Sequence, residues 1–227
     1  MRRPAPLLSA LLATWLGAAV ASAAGAAPPP EPVSDDDGSS EPERAPIPPA
    51  SDLLAWHPLL GVGGKLAVPF GKLDSDRSFG DQAGLGYGVA GDLGLGLSRS
   101  VELGVWADYV SYDSDDDCPG CEITSFGVGP FLRYHLVQGM RFDPFLTIGG
   151  GHRAVTIASG GQEQTESGLA WLKLGLGGNW YALSQIAFGP YVELELSTLT
   201  DTPAGSDPSV FAHFSTGLRL HFDVRGR

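Results

Sequence analysis

The stretch Ala83–Ser98, AGLGYGVAGDLGLGLS, alternates two kinds of residue. Leu85, Tyr87, Val89, Leu93, Leu95 and Leu97 fall on every second position, with Gly91 in the gap. Gly84, Gly86, Gly88, Ala90, Asp92, Gly94 and Gly96 occupy the positions between. A β-strand sends successive side chains to opposite faces. One face of this stretch is therefore apolar, and the other is small with a single carboxylate.

Similar alternation runs from Trp56 to the end of the chain. It predicts eight strands, approximately Leu59–Gly71, Ala83–Leu97, Val101–Tyr112, Ile123–Leu136, Pro144–Ile157, Gly168–Tyr181, Ile186–Thr198 and Val210–Val224. Each exceeds the roughly 9–11 residues that cross a bilayer at a tilt. The connections alternate in length. Ser98–Ser100, Val137–Asp143 and Ala182–Gln185 are short, whereas Lys72–Gln82, Asp113–Glu122, Ala158–Ser167 and Leu199–Ser209 are longer and polar. Short turns on one side and long loops on the other are the pattern of outer-membrane barrels. An even number of strands puts both chain ends on the short-turn side.

The apolar face carries aromatic residues near both strand ends. Tyr134, Trp180, Phe188 and Phe222 lie toward the short turns, and Phe70, Tyr109, Phe126 and Phe214 toward the long loops. Two such bands match interfacial girdles. The opposite face holds Lys65, Asp92, Glu102, Asp108, Arg133, Arg153, Lys173, Glu193, Glu195, Arg219 and Asp223, together with Trp106, Phe131, Trp171, Tyr191 and many glycines. In a soluble barrel this second face would meet water, and the small interior would have to hold the whole leucine-rich face. With lipid outside, the near-balanced charges can pair within. The expectation is an all-β, eight-stranded antiparallel up-and-down transmembrane β-barrel over residues 56–227. Pro130 and Pro190 fall inside strands, where each loses a ladder hydrogen bond, so a bulge or bend is expected at each.

Gly129-Pro130-Phe131-Leu132-Arg133-Tyr134 and Asp143-Pro144-Phe145-Leu146-Thr147-Ile148-Gly149-Gly150-Gly151 resemble strands of the small bacterial outer-membrane β-barrel family, which includes the OmpA, OmpX and OmpW types. The resemblance runs from about Leu59 to Arg227 and marks a barrel without marking an activity. It implies a bacterial outer-membrane location, outer-membrane lipid and lipopolysaccharide as surroundings, and the barrel-assembly machinery as partner during insertion. The chain departs from the family where Phe222 is followed by Asp223-Val224-Arg225-Gly226-Arg227 instead of closing on the aromatic.

The remaining sequence delivers and connects. Met1–Ala23 has Arg2 and Arg3, an apolar Leu7–Val20 segment and a small-residue Ala21-Ser22-Ala23 end, the layout of a secretory signal peptide. Residues 24–55 are rich in proline and acid without apolar periodicity, and read as a disordered linker on the periplasmic side. The 227-residue chain has a formal net charge of −12, which argues against nucleic acid, whose phosphates need a basic surface.

Cys118 and Cys121 are the only two cysteines. An exported chain meets an oxidising compartment, and the intervening Pro119-Gly120 favours a tight turn. A disulfide holding the tip of the loop is expected. The rival readings of Cys-x-x-Cys are weaker, because a redox pair usually starts a helix and zinc needs four ligands. Asp113-Ser114-Asp115-Asp116-Asp117 lacks the glycine and distal glutamate of a calcium loop and reads as a solvated acidic run. No serine stands with histidine and carboxylate in a catalytic pattern, and His152 is the one histidine on the outward face of a strand. No cofactor or metal site is expected.

Register counting from the turns places Lys173 level with Glu195 and near Glu193, Arg153 beside Trp171, and Glu102 level with Arg133. These residues are expected to form two charge clusters that plug the lumen. An eight-stranded barrel fills its interior with side chains. The reading is accordingly a non-enzymatic structural or surface-interaction protein displaying acidic extracellular loops. A narrow conduit for ions or small apolar molecules is the alternative, and a lipid-modifying enzyme the third reading. No residue pattern names a surface ligand.

Overall fold

A computed structural model describes residues 56–71, 78–98, 100–114, 120–136, 141–201 and 209–224. The signal and linker segments, Asp115–Asp117 and Cys118 lie outside the described residues. Eight strands form one closed barrel: β1 (Pro58–Gly71), β2 (Ala83–Gly96), β3 (Val101–Ser114), β4 (Glu122–His135), β5 (Phe142–Ser159), β6 (Gln162–Tyr181), β7 (Ile186–Asp201) and β8 (Ser209–Asp223). Every neighbouring pair is antiparallel, and β8 pairs back onto β1 to close the ring, with Leu60 opposite Phe222 and Val68 opposite Phe214.

The alternation sorts the two faces. Val89, Val105 and Leu218 are 63%, 54% and 68% exposed, while Asp92, Asp108 and Arg219 on the same strands are buried. A wall that turns most of its large apolar side chains outward is stable only against an apolar medium, so the barrel is transmembrane. Tyr134, Trp180, Phe188 and Phe222 at one end, and Phe70, Tyr109 and Phe126 at the other, are exposed on this wall.

Three expectations need correction. The segment Ala158–Ser167 is no long loop. β5 runs to Ser159 and β6 starts at Gln162, joined by Gly160 (φ +59°) and Gly161 (φ +83°). Positive φ at both central residues is the turn that matches strand twist, and two glycines adopt it without strain. Polar composition hid the strands here: Thr156 and Thr165 pair across the hairpin with hydroxyls 3.0 Å apart.

The longer strands change the register. Arg153 lies opposite Gly168, not beside Trp171, and Lys173 lies opposite Gly149. The pairing shifts between Gly149 and Gly151 on β5, and between Ala170 and Leu172 on β6. The irregularity turns Trp171 outward, 48% exposed, where simple alternation put it in the lumen.

The prolines do not bulge their strands. Pro130 pairs in register with Val105, and Pro190 with Leu218. On the other flank of each the regular pairs stop, between Val128 and Phe131 and between Gly177 and Trp180, and then resume in the same register. Proline withholds one N–H, so only one flank of the ladder suffers.

At the long-loop end a one-turn helix, α1 (Phe79–Gln82), places Phe79 inside the mouth. Its ring meets Tyr112 and Phe211 edge-on at 5.5 and 5.3 Å. Ala67, Ala83, Val110, Cys121, Ile123, Val155 and Leu199 complete this apolar layer.

Candidate functional site

Below the apolar layer the lumen holds two ion networks, each assembled from several strands. In the upper one, Lys65 on β1 reaches Asp108 on β3 at 2.8 Å and Glu193 on β7 at 3.6 Å. Arg153 on β5 donates to Asp108 Oδ1 at 2.9 Å, to both carboxylate oxygens of Glu195, and to Ser125 Oγ at 2.8 Å. Lys173 on β6 meets Glu193, Asp108 and Glu195 at 3.0, 3.5 and 3.6 Å. Its ammonium also stands 4.2 Å from the centre of the Trp106 ring, where a cation is attracted to the ring face.

The lower network lies toward the short turns. Arg133 on β4 bonds Glu102 at 3.0 Å and Asp92 at 3.3 Å. Arg219 on β8 meets the other oxygen of Asp92 at 3.2 Å. The Arg133 guanidinium is also set between the rings of Phe131 and Phe145, 4.7 and 4.8 Å from their centres. His135 bonds Asp143 at 2.7 Å and Glu102 at 3.3 Å. A separate pair, His57 with Asp223 at 3.1 Å, joins the start of the barrel to its last strand.

Glycines on the lumen face make these long reaches possible. Asp108, Gly127 and Arg153 sit in one row across β3, β4 and β5. A methyl group at Gly127 would lie 2.7 Å from the Arg153 guanidinium carbon. The missing side chain is the gap through which Arg153 crosses β4 to Asp108. Gly61 likewise leaves room for the Asp92 carboxylate, and Gly94 for that of Glu102.

All six residues assigned to lumen clusters from the sequence face the interior and are buried: Arg153, Lys173, Glu193, Glu195, Glu102 and Arg133. Lys173 stands opposite Glu195, and Glu102 opposite Arg133. Lys65, Asp92, Asp108 and Arg219 were legible as inward-facing but not as members of a particular network. His135 and Asp143 were missed. Their signal was their place, at the end of β4 and the start of β5, on either side of one short connection. Trp106 donates its indole N–H to the Gly150 carbonyl at 3.2 Å, at the irregular pairing of β5 with β6.

The chemistry of this interior is that of mutual neutralisation. Each carboxylate of the two networks is held by arginine, lysine or histidine, and Glu195 also accepts from the Ser197 hydroxyl at 3.1 Å. His152 is exposed on the outer wall, opposite Val128 and Leu169. Among the described residues no group of histidine, cysteine and carboxylate side chains is arranged to hold a metal ion.

Fold and lumen together define an eight-stranded transmembrane β-barrel of the outer-membrane type with a charge-filled interior. No family model matches the chain, and no curated protein sequence does. Among solved structures, Neisserial surface protein A is similar with a TM-score of 0.51 at 15% identity, over 71% of this chain and 96% of that one. Similarity also extends to OprG of Pseudomonas aeruginosa, with a TM-score of 0.44 at 15% identity over 74% of this chain and 96% of that one. For Ail, the attachment invasion locus protein of Yersinia pestis, the TM-score is 0.44 at 13% identity over 74% and 99%. At these identities the likeness to the Neisserial protein is one of fold.

Proposed function

We propose that this chain is a bacterial outer-membrane protein whose barrel is a closed anchor, and whose role is structural or surface interaction through its long-loop side. The observation that supports this is the filled lumen. Arg153, Asp108, Lys65, Lys173 and Glu195, contributed by β1, β3, β5, β6 and β7, are each no more than 4% exposed. A passage for ions would have to break these pairs. The signal-like start and the periplasmic placement of residues 24–55 belong to the same reading, as do lipopolysaccharide and the barrel-assembly machinery as surroundings and partner. Purified protein in a planar bilayer is expected to show no steady conductance above the bare membrane. A stable open level would overturn the closed anchor and favour the narrow conduit.

The same reading includes a disulfide between Cys118 and Cys121. Cys121 is buried in the apolar layer at the mouth, next to the positive-φ Gly120. So short a crosslink adds little loop entropy and serves to hold the loop tip. Mass spectrometry without reductant is expected to find the pair oxidised. Two alkylatable thiols would refute it.

A further inference from the structure

We propose that His135 is a proton-dependent clasp on the short-turn mouth of the lumen, bridging from β4 the carboxylates of β3 and β5 at once only as an imidazolium. Its Nδ1 lies 2.7 Å from Asp143 Oδ2 and its Nε2 lies 3.3 Å from Glu102 Oε2. A neutral imidazole has one N–H donor and one acceptor nitrogen, and an ionised carboxylate only accepts. Carboxylates on both ring nitrogens are therefore satisfied together only when both nitrogens carry protons. His135, Asp143 and Glu102 are all buried, at 1%, 0% and 0% exposure, so an unmatched donor or acceptor here is costly.

The surrounding charges agree. In the upper network Lys65, Arg153 and Lys173 face Asp108, Glu193 and Glu195. In the lower one, Arg133 and Arg219 face Asp92 and Glu102, and the His135 ring faces Glu102 and Asp143. The third cation of the lower network is the His135 ring. Glu102 from β3 and Asp143 from β5 face it directly, and the network around them adds Arg133 on its own strand, Asp92 from β2, and Arg219 and His221 from β8. His221 is within electrostatic reach of Glu102 and Arg133. Its ring nitrogens have no hydrogen-bond partner among the described residues. Of the two buried histidines at this end, only His135 is held between carboxylates.

A proton bound more tightly in the folded state than in the unfolded one contributes stability at low pH, and that stability is lost as pH rises through the folded-state titration. Losing it leaves one of the two carboxylates facing a lone pair, which releases one side of the clasp.

The test uses the full chain folded in detergent micelles, labelled with 15N-histidine. Ring nitrogen NMR is expected to show His135, assigned by its loss in H135Q, protonated on both nitrogens at neutral pH. As pH is raised the ring becomes neutral, and the fraction of protein surviving a fixed heat pulse falls over the same interval. That fall is expected to be absent in H135Q and retained in H221Q. A singly protonated His135 ring at neutral pH, or a fall that persists in H135Q, would overturn the proposal. If H135Q fails to fold, D143N takes its place. Removing one negative charge beside the ring is expected to move the fall to lower pH, and an unmoved fall counts against the clasp.

Discussion

Arg153 donates from three nitrogens to Asp108, Glu195 and Ser125, whereas Lys173 shares its three carboxylates with other cations. Asp108 keeps Lys65 and Arg153 when Lys173 is removed, Glu195 keeps Arg153, and Glu193 keeps Lys65. Removing one partner of a buried pair costs about 3–5 kcal/mol, because a charge is left uncompensated. R153M leaves Glu195 with the Ser197 hydroxyl at 3.1 Å and Lys173, at 3.6 Å, as its cation, so that cost is expected there. K173M is expected to lose clearly less. Denaturant unfolding of the two variants in micelles checks the order, and equal losses would show that the network does not share charge as its geometry indicates. The Lys173–Glu195 pair could be counted in sequence from the turn between β6 and β7. The Arg153–Asp108 pair could not, since those strands are not neighbours and the contact passes over Gly127.

Among the elements, α1 departs furthest from the barrel pattern. Four residues cannot hold a helix by their own hydrogen bonds, given the cost of nucleation, and Ser78 supplies no side-chain cap. What holds the turn is Phe79, buried to 0% exposure between Tyr112 and Phe211. F79A is expected to destabilise by about 3–5 kcal/mol, as other buried Phe-to-Ala changes do. Protease should then cut first between residues 71 and 83. Protection there equal to wild type would mean that the turn is held by something other than the ring. In the sequence this segment reads as a polar loop, because a single phenylalanine has no period. The β5–β6 hairpin was hidden for a related reason. Its residues are polar on both sides of the turn, and only Gly160-Gly161 marks it.

For the whole molecule, the controlling fact is which face meets lipid. Val105 is 54% exposed midway along β3, between Leu103 and Tyr109 on the same wall. V105R is expected to cost about 2–4 kcal/mol when the barrel is in a bilayer, as a cation near the midplane of a barrel wall does. Stability measured in lipid vesicles checks it. A neutral outcome would remove Val105 from the hydrocarbon region.

Strand number, the inward and outward faces, the antiparallel order and the aromatic bands all follow from local alternation, so they are legible one strand at a time. Level pairs across a short turn, such as Glu102 with Arg133, follow by counting. Folding decides the rest. A bulge interrupts the inward–outward alternation where it falls, and the one between Ala170 and Leu172 put Trp171 on the outer wall. Ring closure brings β1 against β8, and charges on strands far apart in the chain meet across a lumen narrow enough for side chains to span. His135 instead takes its two carboxylates from its immediate neighbours, β3 and β5, at once. No periodicity within β4 encodes that meeting, because the distance between those side chains is set by the curvature of the closed sheet.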